Sequence, residues 1–462
     1  MLPIISELSL EIKEDTTILD CLEKIESNAK GFIIALDQNQ KIKGLLTDGD
    51  IRRAFIEGAH QLDSPKNFVN TSFNYVNSFY TREEVLKIFD CGCKFIPIID
   101  DSGKPIDIIF PEMLHYRETA NLLARGKAPV RISFGGGGTD LTSYFSDFGG
   151  AVFNATINLY AHCSLKKRLD SKITIISHDF NQIVEFATID EMIYNGNLDL
   201  IKAVLNLLKP KYGFELEIYC DFPLHSGLGG SSAVVSAVIS AFNQFREDKL
   251  NSHEIAEMAF QAERIELAFA GGWQDQYATV FGGFNFIEFN SKKNEVFSLK
   301  LNQEVINELE ERLLVCFSGK GHPVGQIHNQ QKKEMKKNHV VEYAHRTREI
   351  AYEMKSLLLR GEIDSFGLLL DESWELKKKF ANGISDDVLD DIYNSSKLNG
   401  AIGGKIMGAG GGGFFLFQSH AEQKARLTKF LKEKGLIVKD FIFEMQGVRS
   451  WTVRVSDLNQ GN

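Results

Sequence analysis

The stretch "DFPLHSGLGGSSAVVSAVISAF", Asp221 to Phe242, decides how the larger part of this 462-residue chain is read. The residues ahead of it, "FELEIYC", alternate in character, so Phe214, Leu216, Ile218 and Cys220 share one face of a strand. Behind the glycines, Ala233, Val234, Ala237, Val238, Ala241 and Phe242 recur at helical spacing. The order is therefore strand, glycine loop, helix. Glycines let a backbone approach a ligand without Cβ obstruction. The unpaired N–H groups of a first helical turn, with the helix dipole, then favour an anion. Ser231 and Ser232 fall where a hydroxyl caps the helix or reaches a metal bound to phosphates. The loop is not a Walker A segment, because G-x-x-x-x-G-K-[ST] is missing. Taken alone, it also suits a tight structural turn.

Two more clusters argue against a turn. "APVRISFGGGGTDLTSYF" runs from Ala128 to Phe145, and "GAIGGKIMGAGGGGFFLF" from Gly400 to Phe417. Each is flanked by strand-like residues. Three such segments suggest backbone converging on one polyanionic ligand.

Composition narrows the class. The net charge of −10 argues against a nucleic-acid partner, which wants a basic footprint. No apolar run nears the roughly 20 residues of a membrane helix. "MLPIISELSLEIKED" lacks the basic start of a secretory signal. Cys21, Cys91, Cys93, Cys163, Cys220 and Cys316 are scattered, and "CGC" at 91–93 lacks the second pair of a zinc site. A reducing, cytoplasmic setting is expected.

Residues 1–115 contain a repeat. "FIIALDQNQKIKGLLTDGDI" starts at Phe32 and "FIPIIDDSGKPIDIIFPEML" at Phe95, an ungapped offset of 63 (95 − 32). Asp37 aligns with Asp100, Lys41 with Lys104 and Leu45 with Ile108. Each copy reads strand, turn, strand, helix, and each follows a helical pattern, "TILDCLEKIES" or "TREEVLKIFD". Neither copy buries its apolar face alone, so the two should pair. The segment resembles a tandem CBS-domain pair, a small α/β module over residues 1–118. The resemblance implies that Thr47 and Asp50 of "GLLTDGDIRRAF" hold the ribose of an adenine nucleotide. The aligned Phe110 and Met113 do not have that chemistry. A structural or dimerising module is the alternative, and a homodimer is left open. "HYRETANLLARGKA" reads as a polar helical connector, with residues 119–127 as linker and 128–462 as the large domain.

The large domain resembles the GHMP small-molecule kinases. "PLHSGLGGSSA" is similar to that family's P-x-x-x-G-L-G-[SG]-S phosphate loop, and "KIMGAGGGGFFLF" to its C-terminal glycine motif. The resemblance implies an α+β, two-lobed fold and ATP with Mg²⁺ as cofactors. Gly227, Leu228, Gly229, Gly230, Ser231 and Ser232 would cradle the ATP phosphates. Asp275 of "GGWQDQ" would be the catalytic base, with a loop-capping Asp as the alternative. Arg131 would pair with it or stabilise the transferring phosphoryl group, a structural salt bridge being the alternative. Gly137, Thr139 and Asp140 would meet the sugar, joined by Gly410 and Gly411 of the third cluster. Glu263 and Ser231 would hold the metal, with Glu266 as rival ligand. Lys405 reads either as a phosphate contact or as a solvated lysine. Lys320 and His322 of "CFSGKGHPVGQIHNQQKK", with Ser318 and His328, would meet a phosphate on the substrate.

Segments such as "GGWQDQYATVFGGFNF" look most like the heptose 7-phosphate kinases. That implies a sugar phosphate as partner, phosphorylated on its anomeric hydroxyl to the 1,7-bisphosphate used for nucleotide-activated heptose and surface glycans. The alternatives are a fucose- or galactose-type aldose 1-kinase, and a non-catalytic sugar or ATP sensor on the same fold.

Overall fold

The structure is a computed structural model and describes residues 3–114, 122–223, 226–319, 326–335 and 337–455. The chain divides into two compact units, Met1–Glu118 and Thr119–Asn462.

In the first unit, β1 (Ser9–Glu11) runs parallel to β2 (Phe32–Leu36), which pairs antiparallel with β3 (Ile42–Thr47). Helix α1 (Ile18–Asn28) starts at a capping box in which Thr17 and Asp20 satisfy each other's backbone N–H. Its Ile18, Cys21 and Ile25 pack with Ile33, Ala35, Leu46 and with Ile51 of α2 (Asp48–Ile56). The second half repeats the pattern. β4 (Val76–Asn77) is parallel to β5 (Ile96–Ile99), which is antiparallel to β6 (Pro105–Ile109), and α3 (Arg82–Asp90) lies between β4 and β5 in sequence. The equivalent residues Phe32 and Phe95 stack, with ring centroids 3.4 Å apart and 11° between planes. Phe110 closes the group at 6.4 Å from Phe32.

The second unit is built on two sheets. β7 (Leu122–Gly135) and β8 (Gly150–Lys167) form a long antiparallel ribbon. The remaining strands are β9 (Ile173–Ser177), β10 (Gln182–Phe186), β11 (Phe214–Cys220), β12 (Phe284–Phe289) and β13 (Asn294–Leu299). The order is β10-β9-β11-β8-β12-β13, with β7 on β8 and β18 (Arg449–Arg454) on β7. The other sheet is β15-β16-β14-β17, from β14 (Leu313–Phe317), β15 (Ala401–Ile406), β16 (Phe414–Ser419) and β17 (Ile437–Lys439). Helix α4 (Asp199–Leu208) packs on α5 (Gly230–Asn243), which lies on β7 and β8. Helix α6 (Ser252–Phe260) and α7 (Gln274–Phe281) pack beside α5. Helix α8 (Asn338–Arg360) bridges β8 and α9 (Ile363–Lys378), and α9 covers β15 together with α10 (Asp387–Leu398).

The expected helical connector is corrected here. From Leu122 to Ala128 the chain is already β7, hydrogen-bonded to β8 and β18. The reason is the alternation in "ARGKA". Ala124 and Ala128 are fully buried, while Arg125 and Lys127 are partly exposed, a period of two that suits a strand. Residues 115–121 lie outside the described part of the chain.

Candidate active site

The strand–loop–helix reading places the first cluster. β11 leads into the loop and α5 begins at Gly230, capped by Gly229 at φ +77°. Gly229 brings no side chain to cap this helix, so the position itself leaves the first-turn N–H groups open to another acceptor. A Cβ at Gly229 would sit 3.3 Å from the Asp275 carboxyl and 3.4 Å from the Arg131 guanidinium carbon, so only glycine lets the loop pass this close.

Arg131, on β7, is buried. Its Nε donates to Asp275 Oδ1 at 2.8 Å, a second guanidinium nitrogen lies 2.6 Å from the same oxygen, and Nη1 donates to the Gly227 carbonyl at 2.6 Å. Its backbone N–H donates to the Leu228 carbonyl at 3.0 Å. Leu228 itself is a core residue. Asp275 stands in the first turn of α7, where the helix dipole favours a carboxylate. Among the described residues its Oδ2 has no hydrogen-bond partner, and the side chain keeps 23% exposure. The arrangement fixes one carboxylate oxygen and presents the other.

Asp140 is used from two sides. Gly138 N–H donates to its Oδ1 at 3.1 Å and Gln274 N–H to its Oδ2 at 3.2 Å. Desolvation, then the nearby Asp275 carboxylate, push Asp140 above the ordinary carboxylate range. Gly137 is partly exposed beside it. Thr139 is a correction: it is fully buried, and its hydroxyl lies 2.8 Å from the Gly136 carbonyl and 2.9 Å from that of Ala151. It holds the loop from inside and offers no surface to a sugar.

Of the two serines beside the expected metal carboxylate, it is Ser232 that meets Glu263 directly. Ser231 is exposed in the first turn, while Ser232 is buried and donates to Glu263 Oε2 at 2.7 Å. One residue along a helix turns a side chain by about 100°, which separates the two hydroxyls. Gln276 Nε2 donates to the same Oε2. Glu263 is fully buried, and among the described residues its Oε1 has no partner. It lies in a π-helical turn, Gln261–Glu266, that continues α6, and such turns are frequent at functional sites. Glu266 is occupied elsewhere, accepting from Asn206 at 2.9 Å and Tyr194 at 3.3 Å.

The third cluster is the hairpin between β15 and β16. It touches the phosphate loop directly. A Cβ on Gly227 would lie 2.6 Å from the Met407 carbonyl, and Phe414 N–H donates to the Ser226 carbonyl at 3.0 Å. Gly410 packs against Ile384, and Gly411 N–H donates to the Ile384 carbonyl at 2.8 Å. Sequence reasoning missed Lys377. It is buried on α9, donates to the Gly408 carbonyl, and is pushed down to about 8, mainly by desolvation and then by Arg131. Phe366, Leu370, Trp374 and Lys377 recur at steps of four, four and three, which already put this lysine on the buried face. Lys405 is likewise buried, not solvated, and its Nζ donates to the Phe134 carbonyl at 3.1 Å.

In the first unit, Thr47 and Asp50 are joined in a capping box on α2, with Asp50 Oδ2 accepting from the Thr47 hydroxyl at 2.7 Å. Arg53 pairs with the other carboxylate oxygen. Lys320, His322 and the His328 side chain lie outside the described residues.

Strand–loop–helix, a carboxylate held by a buried arginine and three converging glycine segments define a phosphotransferase acting on a small molecule. The chain belongs to the GHMP kinases and is a sugar kinase. The GHMP kinases N terminal domain matches residues 199–283 and the GHMP kinases C terminal domain residues 354–435. A CBS domain matches residues 9–57. The chain is 38% identical over 335 residues to the D-glycero-alpha-D-manno-heptose 7-phosphate kinase of Campylobacter jejuni, covering 71% of this chain and 99% of that protein. It is 26% identical over 322 residues to the bifunctional fucokinase/GDP-fucose pyrophosphorylase of Arabidopsis thaliana, covering 64% of this chain and 30% of that protein. Among solved structures, a D-glycero-D-manno-heptose 1-phosphate kinase from Bacteriodes thetaiotaomicron superposes with a TM-score of 0.62 at 30% identity, over 71% of this chain and 99% of that one. GHMP kinases use ATP. Among the described residues, no helix is long and apolar enough to cross a membrane.

Proposed function

We propose that this protein phosphorylates the anomeric hydroxyl of D-glycero-D-manno-heptose 7-phosphate, giving the 1,7-bisphosphate and ADP. The observation that carries the chemistry is the Arg131–Asp275 contact beneath Gly229, which leaves Asp275 Oδ2 without a hydrogen-bond partner among the described residues. Similarity to the Campylobacter heptose 7-phosphate kinase along 99% of its length supports the acceptor.

Asp275 Oδ2 takes the proton of the anomeric hydroxyl. The sugar oxygen forms a bond to the γ-phosphorus, the bond from that phosphorus to the β–γ bridging oxygen breaks, and ADP departs. Arg131, held by Asp275 and Gly227, offsets negative charge on the transferring group. The α5 N-terminus and the Gly227–Ser232 backbone hold the nucleotide phosphates. Asp140 accepts from sugar hydroxyls with the lone pairs its two backbone donors leave. The residues present fit a magnesium ion: the buried, unpartnered Glu263 Oε1 beside Ser232 supplies the one protein carboxylate such sites use with phosphates and water. Bound there, Mg²⁺ would neutralise phosphate charge. The first unit, with Thr47 and Asp50, is a candidate adenine-nucleotide module.

The test is ADP release from Mg-ATP with heptose 7-phosphate, heptose 1-phosphate, unphosphorylated heptose, fucose and galactose. Turnover confined to heptose 7-phosphate is expected. Equal or better turnover of fucose would replace this acceptor by the plain aldose that the similarity to the Arabidopsis fucokinase suggests.

A further inference from the structure

Five basic side chains are buried among the described residues: Arg131, Lys202, Arg312, Lys377 and Lys405. Three reach a carboxylate, Arg131 with Asp275 at 2.6 Å, Lys202 with Asp199 at 2.9 Å, and Arg312 with Asp364. Among the described residues Lys377 and Lys405 reach none within salt-bridge distance, and the amino group of each donates to one neutral carbonyl. A buried charge without a partner is costly, so folds normally pair it or neutralise it.

Both lysines belong to the surroundings of the phosphate loop. Lys377 holds Gly408, whose missing Cβ would meet Gly227 at 3.0 Å. Lys405 holds Phe134, at the entrance to the first glycine cluster. The charged groups that act on Lys377 are Arg131, Asp140 and Asp275; those on Lys405 are Lys377, Arg131 and Asp140. The set contains three basic groups and two carboxylates, and desolvation pushes Lys405 well below the ordinary lysine range, so both lysines lack an anionic partner that would hold their protons.

We propose that Lys377 and Lys405 form a buried cationic floor that receives a phosphate dianion at this site. Two sources have that chemistry, the transferring γ-phosphoryl group and the acceptor's own phosphate. The inference rests on the kinase reading above and adds residues to it. Depression of Lys377 to about 8 is what an ammonium awaiting an anion in a desolvated site would show.

The experiment uses the full chain with Lys377→Met and Lys405→Met, apolar replacements of similar length. Inorganic phosphate is titrated against thermal unfolding without nucleotide or sugar, and turnover is measured with phosphorylated and unphosphorylated heptose. The wild type should be stabilised by phosphate, and the Tm of Lys377→Met should not respond to phosphate. A fall of about 10²–10³-fold in kcat with both acceptors identifies the transferring group. A rise in KM confined to the phosphorylated sugar identifies the acceptor's phosphate. Partial recovery in Lys377→Arg supports either source. Turnover and phosphate response within about threefold of wild type in both Met variants would overturn the inference, as would activity lost only in step with Tm. Should wild type prefer a different sugar, the acceptor assignment fails while the phosphate titration still tests these lysines.

Discussion

Lys377→Met should make the protein more stable at neutral pH and less stable at high pH. The native ammonium titrates near 8 against 10.5 for an ordinary lysine. A lowered lysine pKa means the unfolded chain binds the proton more readily, so folding loses free energy wherever the group is charged. Below about pH 8 the loss is full, and it fades as pH rises from there to 10.5. The shift of 2.5 units (10.5 − 8) corresponds to about 3 kcal/mol. Methionine removes that cost but leaves the Gly408 carbonyl without its donor, which costs about 1–2 kcal/mol. The variant should therefore gain about 1–2 kcal/mol at pH 7 and lose about as much near pH 10.5. Thermal unfolding of both proteins in matched buffers across that range reads the difference as a Tm gap of a few degrees that inverts. A variant less stable at pH 7, or a gap indifferent to pH, would refute the reasoning that this lysine is buried at a cost.

Three further outcomes are expected. Asp275→Asn should lower kcat by about 10²–10⁴-fold, since the base is gone; it should also cost about 3 kcal/mol, because Arg131 stays buried without its carboxylate. ADP release and urea unfolding measure the two, and activity within tenfold of wild type would remove Asp275 from its role. Glu263→Gln should weaken the extra affinity for ATP that Mg²⁺ provides by at least about tenfold, read by titrating ATP with magnesium or with EDTA; an unchanged magnesium effect would move the ion elsewhere. Gly229→Ala forces a side chain to φ +77°, at about 1 kcal/mol, and places its Cβ 3.3 Å from the Asp275 carboxyl. Its kcat should fall far more than its Tm, and normal turnover would show that the loop does not pass the reacting groups.

Local spacing carried much of the site. The alternation of Phe214 to Cys220 and the helical phase of Ala233 to Phe242 were enough to place the loop between β11 and α5. The Arg131–Asp275 contact joins residues 144 apart, and only the family resemblance suggested it. What stayed hidden depends on three-dimensional environment. Ser231 and Ser232 differ by one position, and the choice between them needs the orientation of α5 toward Glu263. The family resemblance put Thr139 at the sugar, yet its hydroxyl is tied inside to the Ala151 carbonyl on β8. Lys405 sits in a strand whose both faces are covered, so no alternation warned that it was inside.

The Phe32–Phe95 stack has a consequence for how the first unit can change over time. These side chains occupy the same place in two copies of one pattern, and each meets its own counterpart. Such a position accepts only side chains compatible with themselves. A flat ring satisfies that condition, while a lysine or glutamate duplicated there would face its own charge. Once the copies diverge, a substitution at either phenylalanine must still fit the ring of the other. Thr47 and its equivalent Phe110 have already parted in character, while the two phenylalanines still match.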